Sequence, residues 1–161
     1  MPNKMQLYLI RHGESTNNRL AAQRMTYEDY MAQRSADPDL TEIGYQQAQL
    51  MADHVANGGL PEHSIQRLYV SPMWRALLTA QPLAKALGIP ATVQADIFEH
   101  GGVFTGQPHT DSLSSAPGMT RAEMAADFPS YELADEITES GWYQGGWETM
   151  EECDVRAHGV A

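Results

Sequence analysis

Cysteine is almost absent from this sequence: Cys153 stands alone among 161 residues, which excludes an intrachain disulfide. Lysine is nearly as scarce, with Lys4 and Lys85 the only examples. Basic residues number 10 against 21 acidic ones, a formal net charge of −11 that argues against nucleic acid or an anionic membrane as the main partner. Long apolar runs are missing too, and no stretch approaches the roughly 20 residues needed to span a bilayer. Met1 to Met5 carries one lysine and no apolar h-region, so no secretory signal is expected and the cytoplasm is the default location. What remains, with 42% hydrophobic residues, is enough for one domain with a sizeable core. In so acidic a chain, any anion site must be a local positive pocket, which favours a small substrate over a polyanion.

Positive charge does occur at two telling places. Leu7, Tyr8, Leu9 and Ile10 form a short apolar run that delivers Arg11 and His12 into Gly13 and Glu14. The run reads as a buried strand that stops at a tight turn. Carboxyl ends of strands are where open α/β sheets keep their ligand sites. Arginine presents a planar fork of donors matched to phosphate oxygens, and histidine titrates near neutrality and can act as a nucleophile. The plainer alternative is a strand end whose polar residues cap a turn. The second place is Ser71 to Ala80, where a strand end leads into a helix with Arg75 in its first turn. A helix N-terminus attracts anions, and an arginine there adds donors aimed at the same spot. Alone, Arg75 would read as a solvated helix residue; two strands that both end in an arginine-bearing motif change that.

Between and beyond these motifs, strands and helices alternate. Ser15 to Asp39 is polar and irregular, a loop or flap beside the site, with a helical turn or two near Tyr27 to Gln33. Thr41 caps a helix that ends at Asn57, Gly58 and Gly59. Arg67 to Val70 and Ala91 to Gln94 are short strands, separated by a helix from Trp74 to Leu87 that stops at Gly88 and contains Pro82, where a kink is expected. Glu99 to Gly118 reads as a long loop, of the kind more often functional than structural. Thr120 and Glu123 form a capping box for a helix to about Asp127, and Glu148 opens a last helical segment. This order predicts a single α/β domain, a mostly parallel central sheet with helices on both faces.

Three segments in order then carry a resemblance: RHGESTNN from Arg11, LTEIGYQQA from Leu40 to Ala48, and SPMWRALLTA from Ser71. The chain resembles the histidine phosphatase superfamily, the phosphoglycerate mutase-like proteins, over essentially its whole length. The resemblance implies that His12 is the nucleophile that forms a phosphohistidine, with Arg11, Asn18 and Arg75 gripping the phosphoryl oxygens. Ser15, Thr16 and the backbone amides beside Gly13 are further donor candidates, and His100 is a further substrate-binding candidate. Glu99, in IFEHGG, sits where the family places its acid: it would protonate the leaving alcohol and then deprotonate the attacking water. Two guanidiniums beside His12 disfavour its protonated form and stabilise charge on the transferring oxygens. The chemistry requires neither metal nor cofactor, and His63, His100 and His109 lack ligand-like spacing.

The sequence departs from the family pattern at one point. The second histidine that the family pairs with its nucleophile, in a short segment resembling VSHG after a strand, is not found. His158 and Gly159 lie in an apparent helix with no apolar strand before them. Two expectations compete: a domain over 1–161 that is C-terminally incomplete, with the strand and histidine following after about 20 to 30 further residues, the size of one βα unit, which the end in mid-helix favours, or a complete chain that has lost part of its active site. The leading function is hydrolysis of a small phosphate ester. Phosphoglycerate mutase is the alternative, disfavoured because Glu99 to Thr120 holds no Lys or Arg. A phospholigand-binding pseudoenzyme is a third reading, and monomer and homodimer are both left open. Tyr27, Tyr30, Phe104 and Trp142 are candidates for an apolar pocket wall.

Overall fold

A computed structural model describes residues 5–60 and 65–160; His63 falls outside them. Its helices are α1 (Thr16–Ala21), α2 (Tyr27–Gln33), α3 (Glu42–Ala56), α4 (Trp74–Leu87), α5 (Arg121–Asp127) and α6 (Met150–Val160). The strands are β1 (Leu68–Val70), β2 (Ala91–Val93), β3 (Phe104–Thr105), β4 (Ser114–Ser115) and β5 (Glu132–Leu133). The parallel sheet has the order β1-β2-β5, with Val70 opposite Val93 and Val93 opposite Leu133. The fold is an α/β domain, as the alternation predicts.

Local sequence explains most helix boundaries. Thr26, Thr41 and Thr120 each accept a backbone N–H from their own first turn, and Thr120 and Glu123 complete the reciprocal box. The α4 helix runs through Pro82 and stops at Gly88. Its inner face, with Leu77, Ala80 and Ala84, joins Val70, Val93, Met124, Phe128 and Ile137 in the core. The Tyr131 hydroxyl reaches across that core to donate to the Leu77 carbonyl at 2.8 Å.

Three expectations need correction. The apolar run from Leu7 to Ile10 is neither a strand nor buried: it joins no sheet, and Leu7 and Leu9 are exposed. Propensity proposes a strand, but pairing makes one, and among the described residues this segment has no ladder partner. Ser15 to Asp39 is less irregular than its polarity suggests, because Ser15 and Thr26 cap two short helices there. The loop from Glu99 to Gly118 contains the antiparallel β3-β4 hairpin, whose two-residue strands are too short to leave an alternation in the sequence.

The last helix is held differently from the rest. No residue of α6 is buried, yet Arg156 meets both oxygens of Glu148 at 2.6 and 2.7 Å. The same guanidinium donates to the Asp96 carbonyl at 2.7 Å and lies 3.6 Å from the Phe98 ring centroid. These contacts hold the Glu148 carboxyl below the usual range and lift the Arg156 guanidinium further.

Candidate active site

Parallel pairing puts the carboxyl ends of β1 and β2 side by side. The chain leaves β1 through Ser71 and Pro72 into α4, which places Arg75 in the first turn; it leaves β2 toward Asp96 and Glu99. The topology thus joins residues 24 positions apart in sequence, and Arg75 Nη2 donates to Glu99 Oε2. On its other side, Arg75 Nη1 lies 4.0 Å from Asp37 Oδ1. The arginine is buried and stands between two carboxylates of unlike setting: the Asp37 side chain is 15% exposed, that of Glu99 68%.

Asp37 is a residue that pattern reading missed. Met73, at the N-cap of α4, provides no side-chain cap, so the Trp74 N–H needs a partner from elsewhere. Both Asp37 oxygens accept it, at 3.0 and 3.1 Å. Burial pushes the Asp37 carboxyl up to about 6, against the Trp74 amide and Arg75, which pull it down. The signal available in the sequence was negative: a helix start with no capping residue of its own.

The Arg11-His12-Gly13 segment docks on α3 and α4. Gly13 N–H donates to Thr79 Oγ1 at 3.1 Å, and the same hydroxyl donates to the Arg75 carbonyl at 2.7 Å. Glu14 N–H donates to Gln47 Oε1, while the Glu14 carbonyl and carboxylate accept from the Thr41 amide and hydroxyl at 2.8 and 2.6 Å. Gly13 and Gly44 approach so closely that a Cβ on either would strike the backbone around the other, at the Gly44 and Glu14 carbonyl oxygens respectively.

This docking fixes the chemistry of His12. Its Nδ1 lies 2.6 Å from the Gly13 carbonyl oxygen, which can only accept, so Nδ1 carries the proton and Nε2 keeps its lone pair. The His12 pKa lies below the ordinary 6.5, chiefly because the ring is half-buried, with Arg75 and Arg11 acting in the same direction. The Gly13 bond and Glu99 oppose the shift. Burial, not the arginines emphasised by the sequence, is the leading cause.

The other expected residues divide. Asn18 is exposed, and its carbonyl oxygen accepts from the Ser15 amide and hydroxyl, both at 3.0 Å. Ser15 is thus a buried helix cap, and Thr16 begins α1 with its amide on the Asp39 carbonyl. His100 turns edge-on to Trp147 at 5.3 Å, with its Nε2 buried and unpartnered. His158 sits exposed on α6, with Nδ1 2.7 Å from the Asp154 carbonyl. Of the aromatic candidates, Trp142 and Phe104 are buried, Tyr30 is half-buried and Tyr27 exposed, and none lines a cavity of about 380 Å³ whose walls include Trp74, Val103, Met119, Asp37, Glu123 and Asp127. Among the described residues, no group of three or more His, Cys, Asp or Glu side chains could hold a metal ion, and no helix is long and apolar enough to cross a membrane.

The family model described as histidine phosphatase superfamily (branch 1) matches residues 7–161. The chain belongs to this superfamily. It is 35% identical over 121 residues to a protein named probable phosphoglycerate mutase GpmB from Yersinia pestis (strain Pestoides F), covering 74% of this chain and 49% of that one. A protein of the same name from Yersinia pseudotuberculosis serotype O:1b (strain IP 31758) matches with the same identity and coverage. The chain therefore spans about half the length of the curated relatives it matches. Among solved structures, the ecdysone phosphate phosphatase from Bombix mori in complex with tungstate shares the fold, with a TM-score of 0.54 and 22% identity over 90% of this chain and 61% of that one.

Proposed function

We propose that this histidine phosphatase chain carries the nucleophile, phosphate grip and acid of an enzyme that hydrolyses a small phosphate ester. The observation that carries the reading is the His12 tautomer: Nδ1 bound to the Gly13 carbonyl, Nε2 free, with Arg11, Arg75 and Glu99 acting on the same ring. Nε2 attacks phosphorus; the N–P bond forms as the bond to the leaving oxygen breaks, and that oxygen takes the proton of Glu99. Water then attacks the phosphohistidine, Glu99 accepts its proton, and His12 is regenerated. Arg11 and Arg75 stabilise the charge on the equatorial oxygens throughout. The same reading takes Asn18, Ser15, Thr16 and His100 as supporting contacts for the phosphoryl group.

Hydrolysis is preferred to mutase chemistry on two grounds. The segment from Glu99 to Thr120 has no Lys or Arg to hold a substrate carboxylate, and a cavity that includes Asp37 is walled by acids and apolar side chains. Such a wall suits a neutral or cationic alcohol. The names of the Yersinia relatives keep the mutase as the second reading. The proposed setting is cytoplasmic, with no nucleic acid or membrane partner.

The test incubates the intact gene product with assorted phosphate esters and with 3-phosphoglycerate, following free phosphate and isomerised product. Phosphate release that disappears in His12→Ala is expected. Undiminished release in that variant would overturn the nucleophile, and isomerised product would establish the mutase. Because the His12 pKa is lowered, release should persist as pH falls through 6.5 and decline only below it.

A further inference from the structure

Arg75 is buried, and one of its terminal nitrogens lies 4.0 Å from Asp37, a carboxylate 15% exposed and anchored on the Trp74 amide. The other nitrogen, Nη2, is held by Glu99, whose side chain is mostly in solvent. A phosphoryl group gripped by Arg75 needs a donor, and the donor that an exposed neighbour occupies is the one that can be vacated. We propose that Glu99 is an internal stand-in for the phosphoryl group: its carboxylate occupies the anion seat on Arg75 until an arriving phosphate monoester monoanion displaces it, and the released carboxylate takes that monoanion's proton to become the acid.

The inference rests on the phosphate-site reading above and adds an order of events to it. Asp37 cannot be the group displaced, because removing it would strip the Trp74 amide of its partner in a place little reached by water. Glu99 loses only a contact that solvent can replace. Exchange of one anion for another on the same guanidinium keeps the buried charge of Arg75 compensated throughout. It also gives an empty site no free acid: the carboxyl reaches the leaving oxygen only once a phosphoryl group holds Arg75. His12 lies in the field of both Arg75 and Glu99, so the exchange takes place beside the nucleophile.

Calorimetric titration with inorganic phosphate tests this on the chain itself and needs no turnover. Glu99→Gln, folded by circular dichroism, should bind phosphate about tenfold more tightly than wild type, because a charge-assisted contact no longer has to be broken. Asp96→Asn removes one charge from the same loop without touching Arg75, and should stay within about twofold of wild type, as an exposed charge does. Equal or weaker phosphate binding in Glu99→Gln overturns the proposal, as does equal tightening in Asp96→Asn, which would assign the gain to net charge. Detectable binding in Glu99→Gln alone supports it; none in either protein overturns it. Arg75→Ala separates the two layers: unchanged affinity there removes the phosphate site itself, whereas lost affinity with no gain in Glu99→Gln removes only the stand-in.

Discussion

The candidate site is built from two halves of opposite character. Arg75 rides on α4, whose inner face fills the core, and Leu77, two residues on, has no exposed surface at all. Arg11 and His12 follow a segment in which Leu9 is 89% exposed and no sheet partner is present among the described residues. One half takes its position from packing; the other takes it from a few hydrogen bonds at Gly13 and Glu14. The arginine of the pair is thus placed by the fold, whereas the histidine is placed by a seam between the segment and helices α3 and α4.

The widest measure of that contrast is mutational. Leu77→Ala should cost about 3 to 4 kcal/mol in urea unfolding, whereas Leu9→Ala should stay within about 0.5 kcal/mol, because only the former opens a cavity. Similar costs at both positions would mean that the N-terminal run is packed in solution after all.

Next comes Asp37, on the α4 side of the site. Its raised pKa penalises the charged form of the folded protein: the penalty is complete above pH 6 and absent below the ordinary 3.8. Asp37→Asn should therefore stabilise the protein by about 2 to 3 kcal/mol at pH 8, with the gain fading toward pH 4. A loss at pH 8 would show that the pair with Arg75 outweighs burial.

At the seam itself the effects are smaller. Gly44→Ala gains about 1 kcal/mol of helix propensity and loses more to the clash with the Glu14 carbonyl, for a net cost of about 1 to 2 kcal/mol by urea unfolding. Thr79→Val leaves the Gly13 amide without its acceptor, at a cost of about 1 kcal/mol. Its clearer sign is faster hydrogen exchange at Gly13, with the amides of α4 unaffected.

What the sequence made legible was local. The Thr41, Thr120 and Glu123 caps and the Tyr27–Gln33 helix follow from residues within a turn or two of one another, and their bounds are those observed. That Arg75 and Glu99 belong to one site was implied by the family resemblance; their direct contact was not. What stayed hidden depended on distant partners. Nothing near Asp37 distinguishes it from Asp39, and only the bare N-terminus of α4 gives it a task. Likewise Glu132 and Leu133 make a strand only because β2 lies alongside. The run from Leu7 to Ile10 shows the converse: strong local preference, and no ladder to join.

The Arg156 cluster has a dynamic consequence. A helix with nothing buried has no packing of its own to keep it closed, so its protection against exchange comes through one guanidinium. That guanidinium also covers Phe98, the residue before Glu99, and holds the carbonyl of Asp96, three residues before it. Arg156 therefore couples the last helix to the loop that carries Glu99.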